Sequence, residues 1–108
     1  MNLKELDPKF LKRVDSHNFD CVDTLAEADG IEFLCPKCFV TNNGPIGTHG
    51  VICWSPSVAQ DTDPTPGRWE MHGTGFDDLT LVANASSVAL VGGCQAHFFI
   101  RNGEIAMA

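Results

Sequence analysis

The feature that most constrains this chain is a pair of short motifs, Cys35-Pro36-Lys37-Cys38 and Cys94-Gln95-Ala96-His97, with 55 residues between Cys38 and Cys94. Two C-x-x-[C/H] pairs at such a separation have the form of two halves of one tetrahedral metal site, three thiolates and one imidazole around Zn²⁺. The spacing suits the chemistry. Ligands three residues apart on a tight turn can both face one ion, and the N–H groups of that turn can donate to the thiolate sulfurs. We therefore expect Cys35, Cys38, Cys94 and His97 to be zinc ligands. Four protein donors leave no open position for water, so the ion would stabilise the fold rather than catalyse, and its removal should unfold the chain.

A length of 108 residues is enough for one domain with a modest core, and small enough to gain from a metal staple. The 44% hydrophobic content fits a globular chain rather than a disordered one. Seven basic against fourteen acidic residues give a net charge of −7, which argues against broad contact with a phosphate backbone. No apolar run has the length of a signal peptide or a membrane span, so the expectation is a soluble protein of the cytoplasm. Five cysteines without a disulfide framework fit a reducing compartment, with Cys21 and Cys53 as half-buried free thiols.

Along the chain, Leu3, Leu6, Phe10, Leu11 and Val14 have helical spacing, and Asp7-Pro8 suits an N-cap and first helical position, so a short helix is expected over Pro8–Val14. Residues 1–17 would form a helical appendage to a β-rich core over 18–108. Strands are expected at 18–22, 31–34, 51–54, 68–72 and 79–82, with 86–91 a strand or buried turn. A helical turn over 24–29 would be capped by Asp23 or Thr24 and ended by a left-handed Gly30. The proline-rich stretch 55–67 reads as a mobile surface loop. His97–Ile100 and Ile105–Met107 flank Asn102-Gly103, the preferred dipeptide of a type I′ hairpin turn. A knuckle running into a hairpin is zinc-ribbon-like. The expected fold class is a small β-rich α+β domain with two knuckles at strand ends, a C-terminal hairpin and a short N-terminal helix.

The segments FLCPKC, GTHGV, PGRWEMHGTGFDDLTL and GCQAHFFIRNGEI together resemble the DUF6527 family of small proteins from bacteria and their phages. The resemblance spans roughly 25–105. It departs at Ala83-Asn84-Ala85-Ser86-Ser87, where the family has Pro-Ser after Leu-Thr-Leu. It implies a metal-binding fold with Cys35, Cys38, Cys94 and His97 as ligands, and brings no activity with it.

Other chemistries were weighed. A dithiol redox role for Cys35 and Cys38 wants a helix N-terminus in a βαβ unit, and residues 39–45 read as unable to continue a helix. A hydrolase could use His49, His72, Asp77 and Asp78, with Cys53 or Ser87 as nucleophile or with a second metal, although no spacing among them is diagnostic. Asp77-Asp78 equally suit a cap or a turn before Leu79. Trp54, Trp69, Phe98 and Phe99 would stack nucleobases only beside cationic side chains, and otherwise belong to the core. The sequence thus points to an acidic zinc-binding module that engages a protein partner, for instance a phage accessory protein acting on a host nucleic-acid-binding complex. A small metal-dependent or His/Asp hydrolase is the alternative.

Overall fold

The computed structural model describes residues 1–64, 67–82, 87–89 and 94–107. Nine strands form three antiparallel sheets among these residues. Strands β1 (Lys9–Arg13), β2 (Phe19–Val22), β3 (Gly30–Leu34) and β4 (Gly50–Trp54) make a four-stranded sheet in the order β2-β1-β3-β4. Strands β5 (Glu70–His72) and β6 (Thr80–Val82) form a two-stranded ribbon. Strands β7 (Ser87–Ala89), β8 (His97–Arg101) and β9 (Glu104–Met107) form the third sheet, with β8 in the middle. Positions 86, 90 and 91 of the expected strand lie outside the described residues. The one α-helix among the described residues is α1 (Pro36–Thr41).

The N-terminus corrects the sequence expectation. Residues 9–13 are not a helix but an inner strand, paired with β2 on one side and β3 on the other. Strand geometry sends successive side chains to opposite faces, and here both faces are covered. Phe10 enters the main core beside Ile31, whereas Leu11 packs with Trp54 and Val58 on the other face. A helix would have put Val14 on its apolar stripe, yet Val14 is exposed. The helical periodicity survives only in a single 3-10 turn, Leu3–Leu6, whose two leucines are buried. Asp7 ends that turn in the left-handed region (φ 49°) rather than starting a helix. Residues 1–17 are therefore part of the β-fold and not an appendage.

Gly30 is likewise a strand residue and not a left-handed stop. It lies between Leu11 and Trp54 across the sheet, and a Cβ there would sit 2.6 Å from both the Cys53 carbonyl oxygen and the Trp54 ring. A bare backbone at this point lets the Trp54 indole lie down on β3. On the sheet's inner face Phe10, Ile31, Phe33, Val51 and Cys53 meet residues from the third sheet. Phe33 and Phe98 pack edge to face with ring centroids 5.9 Å apart.

The segment after β4 is held down. The Arg68 guanidinium donates to the carbonyl oxygens of Val58, Ala59, Thr62, Pro64 and Gly67 at 2.7–3.0 Å, one for each of its N–H groups. Trp54 Nε1 donates to Asp63 O at 2.8 Å, and Arg13 reaches across to Thr62 Oγ1 at 2.6 Å. A stretch read as a mobile loop is thus tied by two arginines and an indole that lie outside it. Arg68→Lys keeps the charge but not the planar fork, and should lower stability by about 2–3 kcal/mol in urea denaturation. Protease cleavage should then begin within 55–64. A variant as stable and as protease-resistant as the parent would show that the five contacts contribute nothing.

Candidate metal centre

Three elements converge on one point. Cys35 follows β3 and is the N-cap of α1, and Pro36 occupies the first helical position, where its missing N–H is no loss. Cys38 lies one turn into that helix. The third contribution, Cys94, stands just before β8. Gln95 takes a left-handed conformation (φ 53°) and Ala96 is buried. The Ala96 N–H is directed at the Cys94 sulfur.

The fourth residue of this cluster is His49, not His97. One ligand atom from each of Cys35, Cys38, His49 and Cys94 lies within 4.8 Å of all the others. His49 Nε2 is 3.4 Å from Cys94 Sγ, and Cys35 Sγ is 3.5 Å from Cys94 Sγ. Metal–ligand lengths of about 2.3 Å for sulfur and about 2.0 Å for nitrogen make tetrahedral edges of about 3.8 Å and about 3.6 Å. The two separations come within a few tenths of an ångström of those edges, so the donors lie close enough together to hold a metal ion. His49 Nδ1 is 3.2 Å from the Gly50 carbonyl oxygen. With the proton on Nδ1 donated to that carbonyl, Nε2 presents its lone pair to the centre, the usual arrangement of a ligating histidine.

The reason lies in strand register. The antiparallel pairing runs from Gly30↔Trp54 to Leu34↔Gly50, and one step further sets Cys35 opposite His49. The Cys35 N–H donates to His49 O at 2.9 Å and continues the ladder. His97, by contrast, is the first residue of β8, on which Phe98 and Ile100 point inward while His97 and Arg101 are exposed. Its ring rests against Phe99, 6.2 Å between centroids, on the face turned away from the core. The signal that would have found His49 was Gly-Thr-His-Gly immediately before a strand that pairs with the Cys35 strand.

Helix α1 is a second correction, because residues 39–41 do continue a helix after Cys38. Cys35 thus caps a helix, as a redox dithiol would. The helix, however, joins two antiparallel neighbours rather than the parallel strands of a βαβ unit. The thiols differ electrostatically. With the proton instead on Nε2, His49 donates to Cys94 Sγ and, helped by the Ala96 N–H, lowers the Cys94 pKa to about 6, whereas desolvation and the neighbouring sulfurs raise that of Cys38 to about 11. Lys37 Nζ donates to Cys94 O at 2.6 Å and braces the two knuckles together.

The remaining candidates are engaged elsewhere. His72 Nε2 is 3.2 Å from a Glu70 carboxylate oxygen, and Asp77 pairs with Lys4 at 3.1 Å. Asp78 accepts from the Thr74 N–H, the Gly75 N–H and the Thr74 hydroxyl at 2.8–3.0 Å, closing the turn between β5 and β6. Among the described residues the group of Cys35, Cys38, His49 and Cys94 is the one with metal-ligand geometry, and His72, Asp77 and Asp78 form none. Cys53 is buried in apolar surroundings that push its thiol pKa up, which makes it inert, whereas Cys21 is exposed on β2. Of the four aromatic residues weighed for stacking, Trp54 and Phe98 are fully buried and Trp69 packs against the main core. Phe99 is half-buried with the Arg101 guanidinium 4.3 Å above its ring.

Those backbone donors hold the Asp78 carboxyl below its ordinary range. A carboxylate with a lowered folded-state pKa stabilises the fold above its unfolded value, about 3.9, and that contribution is lost as pH falls through the folded value. Asp78→Asn should therefore melt below the parent protein at neutral pH. The gap should close as the pH is taken below about 4. A gap that persists unchanged in acid would mean that shape rather than charge holds the turn.

No protein-family model, curated protein or solved structure matches the chain. No helix among the described residues is long and apolar enough to cross a membrane.

Proposed function

We propose that this chain is a zinc-stapled protein-interaction module of zinc-ribbon-like build. The observation that carries the reading is the convergence of Cys35, Cys38, His49 and Cys94 within 4.8 Å. A thiolate-rich, four-donor set selects Zn²⁺ over oxygen-loving cations, and a complete protein sphere leaves the ion a structural part. The ribbon-like comparison rests on where the donors stand. Two follow β3, one precedes β4, and one precedes the β8–β9 hairpin, so the ion joins two hairpin units.

Binding rather than catalysis is supported by the separate engagements of His72, Asp77 and Asp78, which leave no shared acid, base and nucleophile. Beside the centre, Val40 on α1 and Ile46 in the following loop are exposed at 66% and 90%, apolar positions that a partner would cover. A net charge of −7 would steer association with a basic partner. A phage accessory protein acting on a host nucleic-acid-binding complex has this character, a step that leans on charge, size and the family resemblance. Elemental analysis should find one zinc per chain. Affinity capture from a bacterial lysate should return a stoichiometric basic protein at low salt that is released as salt rises. Capture of no stoichiometric partner at low salt would sink the interaction reading and leave the metal reading standing.

A further inference from the structure

The same centre has the makings of a redox switch, and this inference rests on the reading of its four donors as a zinc site. We propose that peroxide oxidises Cys35 and Cys94 to a disulfide, expels the zinc, and so replaces a metal staple with a covalent one. The geometry favours that pair. Their sulfurs are 3.5 Å apart, and each adjoins a different sheet, Cys35 after β3 and Cys94 before β8. Cys94 is partly exposed and open to a small oxidant, whereas Cys35 is fully buried directly behind it.

The chemistry balances. The Cys94 thiolate attacks one oxygen of hydrogen peroxide, the O–O bond breaks, and hydroxide leaves as the sulfur becomes a sulfenic acid. The Cys35 thiolate then attacks that sulfur, the S–S bond forms, and a second hydroxide departs. Two thiolates have lost two electrons, peroxide has gained them, and two protons from the buffer convert the hydroxides to water. Cys38 and His49 remain as the metal's protein donors, too few to retain it. Because the new bond spans the same 59 positions that the ion bridged, the sheets stay joined. What loosens is the short segment from Cys38 to His49, which carries the exposed apolar Val40 and Ile46.

Zinc-loaded Cys21→Ser protein, which lacks the exposed thiol on β2, would be titrated with hydrogen peroxide. Released zinc would be read with a chromogenic chelator and disulfides by peptide mapping. The expected result is one zinc released per Cys35–Cys94 disulfide formed, with native-like circular dichroism retained. Thiol reductant plus zinc should then restore the bound metal. Absence of zinc in the untreated protein would overturn the metal reading itself. Bound zinc that peroxide does not release, or release accompanied by a Cys35–Cys38 bond or by no disulfide, would overturn the switch alone.

Discussion

Stripping the metal with a strong chelator under reducing conditions is expected to abolish the cooperative unfolding transition, and Cys94→Ser should do the same in the presence of zinc. The four clustered residues come from the start of α1, from the loop before β4 and from the approach to β8, so an ion held there would close contacts that the chain would otherwise make at considerable entropic cost. Structural zinc sites contribute about 10–16 kcal/mol of apparent folding free energy, against a net stability of about 5–15 kcal/mol for a whole domain. The apo chain should therefore fall to or below the threshold of folding, read as loss of the near-ultraviolet dichroism of Trp54 and Trp69. A pair of histidine variants separates the two possible ligand sets. His49→Ala should weaken zinc binding by at least about 100-fold, since even outer-shell losses reach that range. His97→Ala should leave it unchanged. The reverse pattern would return His97 to the metal and remove His49.

Much of this fold was legible because local chemistry and tertiary structure agree. The Asn102-Gly103 hairpin, the strands around 31–34 and 51–54, and three of the four donors follow from turn preferences, alternation and cysteine spacing. The fourth donor depends on register, a relation between two strands that no single motif contains. Sequence places Cys35 and His49 fourteen residues apart, and only the β3–β4 ladder makes them neighbours. The N-terminal strand was hidden for another reason. Leu3, Leu6, Phe10 and Leu11 match a helical stripe by serving two different structures, a 3-10 turn and a strand with both faces buried. In α1 the β-branched Val40 and Thr41 argue against helix, yet Cys35-Pro36 carries a helix-start signal and the helix runs on through Thr41. For Arg68, nothing local foretells that five carbonyls will turn toward it.

Gly103→Ala should be the second most damaging change, costing about 2–4 kcal/mol, for reasons only half contained in the turn itself. Asn102 and Gly103 both have positive φ, 51° and 76°, as a type I′ turn requires. That conformation alone costs an alanine about 1–2 kcal/mol. The remainder comes from what lies beneath the turn. A Cβ on Gly103 would collide with the carbonyl oxygen of Asp77 and lie 2.9 Å from that of Phe76, backbone atoms that cannot step aside. The turn cannot lift away either, because Gly103 N–H donates to Leu79 O and Leu3 N–H donates to Gly103 O, both at 2.8 Å. Asn102→Gly is the matched control, since it keeps the N–H that reaches Thr80 Oγ1 and relieves the left-handed residue of its side chain. Urea denaturation should show a large loss for Gly103→Ala and little change for Asn102→Gly, with one zinc still bound by each. A Gly103→Ala loss of no more than about 1 kcal/mol would mean that the hairpin tip is free of residues 76–79. The hairpin would then be fastened to the fold through its core side chains, Phe98 against Phe33 among them, and through its pairing with β7, rather than through its tip.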